Sequence, residues 1–326
     1  MLTIRSTLAL AATIAAALLP AAGASAQTKL KWAHVYEPAE PFHTQSVWAA
    51  EEIKKRSNGK FDITVYPASQ LGKESDINQG LQLGTVDIII SGLSFATRSL
   101  PAIGVGYYPY VFRDADHLLA FAKSPVFQNL AEQYRQKTGI QATAVTYYGT
   151  RHTTTNKPFT NCAGMKGLKI RVPDAPAYLA MPKACGANPT PIAFAEVYLA
   201  LQNATVDAQE NPLTTIEAKK FYEVQKHILL TGHIVDSVTT QVAPHVWSKL
   251  TDAEKKLFVD VMQEAAARGT ADIKKREGEL VAEFRKKGVN VAEVDRESIR
   301  QAILKAQTPE SLGYNKSDWE KIQALK

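Results

Sequence analysis

The 326-residue chain lacks most of the features that announce a chemistry. It has two cysteines and seven scattered histidines, with none of the close ligand spacings of a metal site. No metal and no cofactor are therefore expected. There is no phosphate-cradling glycine loop and no nucleophile elbow, so an enzyme is not expected either. Charge of one sign is never gathered into a block: 38 Lys and Arg stand against 32 Asp and Glu, scattered along the chain. That excludes a nucleic-acid footprint and leaves a mildly basic surface suited to anionic solutes. Beyond the first twenty residues no apolar run is long enough to span a membrane.

The N-terminus reads as a secretory signal, residues 1–26. Arg5 is its only charge, Leu8 to Leu19 is apolar, and Ala24-Ser25-Ala26 is a small-residue cleavage site. The mature chain then begins at Gln27, outside the cytoplasm. No cysteine follows the cleavage site, which argues against a lipid anchor. In an oxidising compartment Cys162 and Cys185 have the option of a disulfide. Each precedes a predicted strand, and their Cα spacing decides the matter.

About 300 residues remain, enough for two domains with separate cores. Helices and strands alternate, which favours an α/β fold. Strands are expected over Leu30–Tyr36, Phe61–Tyr66, Val86–Ile90 and Gln141–Tyr147. A helix is expected from Phe42 to Arg56, stopped by Asn58-Gly59. Leu71 to Leu83 forms another, and Asp114–Tyr134 one or two more. Thr214–Val224 reads as a helix, and Asp236–Ala243 as a strand. Leu81-Gln82 and Thr85-Val86-Asp87 recur 120 residues later as Leu201-Gln202 and Thr205-Val206-Asp207. Two similar halves explain this echo most simply. Thr251 and Glu254 form a capping-box pair, and Gly288 supplies a stop. The helix between them would be about 54 Å long, so it either crosses both halves or breaks near Gly269 or Gly278.

Function concentrates between Gly149 and Pro212. Leu168, Ile170 and Val172 alternate with Lys169 and Arg171, the period of a strand that Pro173 ends. Arg171 therefore sits at a strand's C-terminal end, where open α/β sheets bind ligands. A second strand, Val206–Glu210, stops in the same way at Asn211-Pro212. An Arg on such a rim suggests a carboxylate, because its planar fork accepts both oxygens. Arg151, in Gly149-Thr150-Arg151, supplies a second cation or orients the first; a structural ion pair is its alternative.

Four blocks in this order carry a resemblance: Gly167-Leu-Lys-Ile-Arg-Val-Pro173, Pro191 to Gln202, Val206-Asp-Ala-Gln-Glu-Asn-Pro212 and Lys220 to Lys226. They resemble the extracytoplasmic solute-binding subunits of TRAP (tripartite ATP-independent periplasmic) transporters, from about Leu30 to Gly288. The central third is similar to the sialic-acid-binding branch. The resemblance implies an α/β two-domain periplasmic binding protein with a cleft between the domains and a long helix spanning both. It implies that Arg171 makes the main salt bridge to a solute carboxylate, that Arg151 adds another, and that Asn211 hydrogen-bonds the same group. The implied partners are a small organic acid and the membrane subunits of the transporter. The expected division is domain I over 27–148 with 237–276, and domain II over 149–236 with 277–326.

The polar positions that help the sialic-acid branch hold its sugar are lost in Ser91-Gly92-Leu93-Ser94-Phe95, which argues against sialic acid. Glu74, His34, Tyr36, Glu37 and Asp174 stand as hydroxyl partners, and Phe194 and Tyr148 as apolar walls. These hydroxyl-seeking groups favour a sugar acid such as a hexuronate. Leu93 and Phe95 instead favour a smaller or aromatic hydroxy acid, and a four-carbon dicarboxylate is a further option. A ligand sensor for a receptor would use the same cleft.

Overall fold

A computed structural model describes residues 27–326. The signal expected over 1–26 lies outside these residues. The first half opens with β1 (Thr28–Ala33), α1 (Pro41–Arg56), β2 (Phe61–Tyr66), α2 (Glu74–Leu83) and β3 (Ile88–Ser91). Two 3-10 turns follow, then α3 (Ala115–Lys123) and α4 (Pro125–Thr138). The centre holds β4 (Gln141–Thr155), β5 (Lys169–Val172), α5 (Pro176–Ala184), β6 (Asn188–Pro191), α6 (Val197–Gln202), β7 (Ala208–Pro212) and α7 (Leu213–Ala218). The chain ends with β8 (His227–Val242), α8 (Pro244–Trp247), α9 (Asp252–Lys286), β9 (Asn290–Ala292), α10 (Arg296–Ala306) and α11 (Lys316–Ala324).

All strands join one sheet in the order β2-β1-β3-β8-β4-β7-β5-β6, with β9 beside β8. Two of them, β4 and β8, run through both halves as an antiparallel pair of 15 and 16 residues. Their outer ends pair with β3 on one side and with β7 on the other. The sheet is thus continuous, but its ladder is broken where the halves meet. Register shifts fall between Tyr147 and Gly149 and between Arg151 and Thr153. Gly149 has φ +123°, and a Cβ there would stand 2.6 Å from Pro212 Cβ. Only glycine fits that bend. Strand β6 carries Pro189 and Pro191 and lies at the sheet edge, where missing N–H donors do no harm.

The echo in the sequence is an echo in structure. Thr85 N–H and Thr205 N–H each donate to the carbonyl five residues earlier, at 2.9 Å. Asp87 Oδ2 then accepts Lys31 N–H at 2.7 Å, and Asp207 Oδ2 accepts Lys169 N–H at 3.1 Å. In both halves the Asp ties its own strand to the parallel neighbour, β1 to β3 and β5 to β7.

Helix α9 is unbroken at Gly269 and Gly278 over its 35 residues, about 52 Å. Thr251 and Glu254 form the full capping box. The helix packs on α1 and β4, then on α7 and β9, so it backs both halves. At Gly269 an added Cβ would make only ordinary contacts with Thr146, Gln45 and Pro41, so the packing there does not demand glycine.

Two expectations change. The strands expected over Gln141–Tyr147 and Asp236–Ala243 belong to the longer β4 and β8, which bend at Gly149 and Gly232 and each cross between halves. The helix expected over Thr214–Val224 ends at Ala218, where Lys220 adopts a left-handed backbone, φ 55°. The C-terminal tail divides its contacts. Helix α10 packs on α5 and β8, but residues beyond it return to the first half. Tyr108 hydroxyl donates to Gln307 O at 2.6 Å, His117 Nε2 bonds Ile322 O at 2.8 Å, and the Trp319 ring lies edge-on to Tyr108.

Cys162 and Cys185 are disulfide-bonded, with Cα atoms 4.9 Å apart. They precede β5 and β6, at the end of these strands away from Arg171.

Candidate functional site

Where the halves meet, β5 ends at Val172, β7 at Pro212 and β3 at Ser91. Their ends surround a cavity with about 330 Å³ of atom-free space, including its way out to solvent. It is lined by Arg171, Arg151, Asn211, Glu74, Tyr36, Tyr148 and Phe194, all named from the sequence, together with Val35, Gly92, Pro173, Tyr178 and Val238. A wider recess adjoins it and shares Glu74, Arg171, Pro173 and Phe194.

Arg171 is 3 % exposed. Its Nε and Nη2 both donate to Ile192 O, at 3.0 and 2.8 Å. That carbonyl holds the guanidinium by one side. The end-on edge, Nη1 and the second Nη2 proton, has no acceptor among the described residues. No carboxylate among them lies within ion-pair distance. Burial and the like charge of Arg151 push Arg171 down to about 10, opposed by Glu210 and Glu74. At neutral pH it therefore remains a buried cation without a direct counter-ion. Such a group is costly unless an anion joins it.

Arg151 is the opposite case. It is 1 % exposed and its charge is met twice. Nε and Nη2 bond the Glu210 carboxylate, and Nη1 donates to Asp236 Oδ2 at 2.9 Å. Nη2 also reaches Glu210 O at 2.6 Å and Asn211 Oδ1 at 3.2 Å. The Tyr178 ring lies under it, 4.7 Å from Cζ. Coulombic attraction from Arg151 holds Glu210 below its usual range in spite of burial. Burial dominates at Asp236 and lifts it to about 6. His233 bonds Glu210 from behind at 3.1 Å and is kept neutral by burial. Of Arg151's five N–H groups, one is left over.

Asn211 is fixed on both sides. Its Nδ2 donates to Gln209 Oε1 at 2.6 Å, and its Oδ1 also accepts Tyr148 O–H at 3.3 Å. Glu74 starts α2 and reaches across to β3, where Oε1 accepts Ser91 O–H at 2.9 Å. Burial lifts this carboxyl to about 7, against the pull of Ser91, Gly92 N–H and Arg171. Tyr36, Phe42 and Tyr148 stack edge to face along one wall, and Phe194 covers Arg171 with its ring 5.9 Å from Cζ. Gly92 shapes the floor: a Cβ there would sit 3.3 Å from both Ser94 Oγ and Tyr178 hydroxyl.

Other candidates lie elsewhere. His34 is buried beside His43, 3.3 Å between ring nitrogens, and is driven down to about 3 by burial and that neighbour; it does not line the cavity. Asp174 lines only the outer recess and bonds Arg98 at 3.3 Å. Glu37 is paired with Lys219 at 2.6 Å. Sequence reasoning missed Tyr178, Glu210 and Asp236. Glu210 was visible beside Asn211, and the alternation along residues 228–242 places Asp236 on the same face as Ile234 and Val238.

Residues 32–310 match the family described as bacterial extracellular solute-binding protein, family 7. The sialic acid-binding periplasmic protein SiaP of Vibrio cholerae is 37% identical over 286 residues, 88% of this chain and 89% of that one. A TRAP periplasmic solute-binding protein of a Polaromonas species, bound to D-erythronate, superposes with a TM-score of 0.87 at 30% identity, covering 92% of this chain and 99% of that one. A Bordetella homologue, its density assigned to pantoate, gives a TM-score of 0.87 at 32% identity over 92% of this chain and 100% of that one. Among the described residues no helix is long and apolar enough to cross a membrane. The chain belongs to the family-7 extracellular solute-binding proteins, the two-domain binding subunits of TRAP transporters.

Proposed function

We propose that this protein captures a sugar acid in the periplasm, closes around it and delivers it to the membrane subunits of its transporter. The observation that carries the reading is Arg171: a buried guanidinium whose bidentate edge faces a cavity and has no counter-ion. A solute carboxylate supplies one. Asn211 and the spare N–H of Arg151 stand beside the same place, and Glu74, Tyr36 and Tyr148 meet the hydroxyl-bearing end. Solved relatives hold D-erythronate, L-galactonate and L-gulonate, all sugar acids. A hexuronate is the longer member of the class and extends toward the outer recess.

The moving parts divide at the bends of the long strands. Residues 27–148 and 237–276 form one domain, and 149–236 with 277–306 the other; residues 307–326 go with the first. Glycine at 149 and the shared helix α9 suit a hinge closure, which the ligand stabilises by touching both sides. The family is one of solute-binding proteins, so binding without turnover is expected.

A thermal-shift panel of D-erythronate, pantoate, L-galactonate, D-glucuronate and sialic acid tests the reading, since a tight ligand raises stability by mass action. A sugar acid other than sialic acid is expected to give the largest shift, to be recovered unchanged by mass spectrometry, and to shrink the radius of gyration in solution scattering. Chemical conversion of the ligand, or a response to sialic acid alone, overturns it.

A further inference from the structure

Behind the cavity, a second carboxyl group joins the two halves. Glu40 stands just before α1 and is 2 % exposed. Its Oε2 accepts Glu37 N–H at 2.7 Å, and its Oε1 meets the Thr215 hydroxyl of α7 at 2.8 Å. Helix α1 packs on β2 and α9 in the first half, whereas α7 leaves β7 in the second, so the Thr215 bond crosses between them. Thr215 Oγ1 lies 3.3 Å from the Tyr148 hydroxyl, which donates to Asn211 Oδ1 at 3.3 Å. A row of hydrogen-bonding groups thus runs from Glu40 to the amide beside the solute site.

No cation among the described residues pairs with Glu40. The charged groups that face it are Glu37 and Lys219, which pair with each other at 2.6 Å. Tyr148 faces it through Thr215. Glu217, Asp272, Lys275, Arg276 and Glu279 line a groove with Glu40, and Arg276 is already engaged by Glu217, Glu279 and Glu283. Enclosing an unpaired carboxylate in this way favours its neutral form.

We propose that Glu40 is a positioning residue that latches the two halves in the closed arrangement, and that the latch holds in its protonated form. A proton taken from solvent sits on Oε1 and is donated to Thr215 Oγ1. Thr215 then donates to Tyr148, and Tyr148 to Asn211, so every bond in the row points toward the site. In the ionised form Thr215 turns back to Glu40 and Tyr148 loses its incoming bond. Burial lifts the Glu40 carboxyl from 4.5 to about 7, with the Glu37 N–H and Thr215 opposing. Opening returns it to water. The closed value lies above the open one, so the preference for closure is complete below the open value and lost as pH rises through about 7.

The inference rests on the closing motion proposed above and not on the identity of the solute, so it is tested without one. Both native cysteines are in the disulfide. Spin labels on Gln82→Cys and Gln202→Cys, exposed and equivalent positions of the two echoed segments, therefore report the distance between halves. The closed-to-open ratio should fall roughly 30-fold between about pH 5.5 and about pH 8. Glu40→Gln, which mimics the protonated group, should be more closed than the parent at the higher pH. Glu40→Ala should be more open than Glu40→Gln at both. If all three proteins move equally with pH, the closing motion stands and the latch alone is overturned. If the distance is fixed in all three at both pH values, motion and latch fall together.

Discussion

Arg151→Ala should damage the fold as well as the site. The guanidinium is 1 % exposed, and the Glu210 and Asp236 carboxylates it holds are fully buried. Removing it leaves two carboxylates without a cation in a place water does not reach. Breaking a buried pair by deleting one partner costs about 3–5 kcal/mol. At roughly 2–4 °C per kcal/mol for a chain of this order of size, the midpoint should drop by about 6–20 °C. The loss should depend on pH. Without Arg151, burial raises both carboxyls above their unfolded values, so the folded form binds more protons. Its stability then rises as pH falls through that range. Urea unfolding of the parent and Arg151→Ala at about pH 7.5 and about pH 5 reads both effects, with a smaller gap expected at the lower pH. A variant as stable as the parent at the higher pH would refute the view that Arg151 is an internal counter-ion.

Three further outcomes are expected. Solute affinity should be highest below about 7 and fall as pH rises through that value, because an anion beside Glu74 favours its protonated form; calorimetry in buffers of different ionisation enthalpy should show proton uptake that Glu74→Gln reduces. Replacing both Cys162 and Cys185 by Ser opens a link of sequence separation 23, which should cost about 3 kcal/mol of stability in denaturant melts and leave solute affinity near the parent's. Asn211→Ala should weaken binding by about tenfold, near 1.4 kcal/mol for one lost hydrogen bond, in the same titration that serves for the parent.

The sequence made some of this legible and hid the rest for identifiable reasons. Arg171 was readable because three local signals agree: alternation at Leu168, Ile170 and Val172, a proline stop, and the position of a strand end. The echo at Asp87 and Asp207 was readable because the same backbone hook needs the same residues. The long strands were not. Glycine at 149 and 232 normally marks a turn, and only tertiary pairing of β4 with β8 carries the ladder through. The role of Arg151 was hidden for a similar reason. Its partners Glu210 and Asp236 are 59 and 85 residues away, and burial, which turns three surface-type residues into one ion-paired cluster, has no local signature. The return of the tail to Tyr108 depends on contacts of still longer range.

The central claim is that Arg171 awaits a carboxylate, and calorimetric titration of Arg171→Ala and Arg171→Lys tests it most directly. The titrant is the acid that shifts the parent most in the thermal panel, and unfolding curves are recorded alongside. Truncating one member of a buried charge pair costs about 2–5 kcal/mol. Affinity should therefore fall by roughly 30-fold to several thousand-fold in Arg171→Ala. Arg171→Lys, which keeps the charge and loses the fork, should recover only part of it. The fold should persist, since Arg171 holds only the Ile192 carbonyl. A folded Arg171→Ala that binds the acid as the parent does would contradict the account.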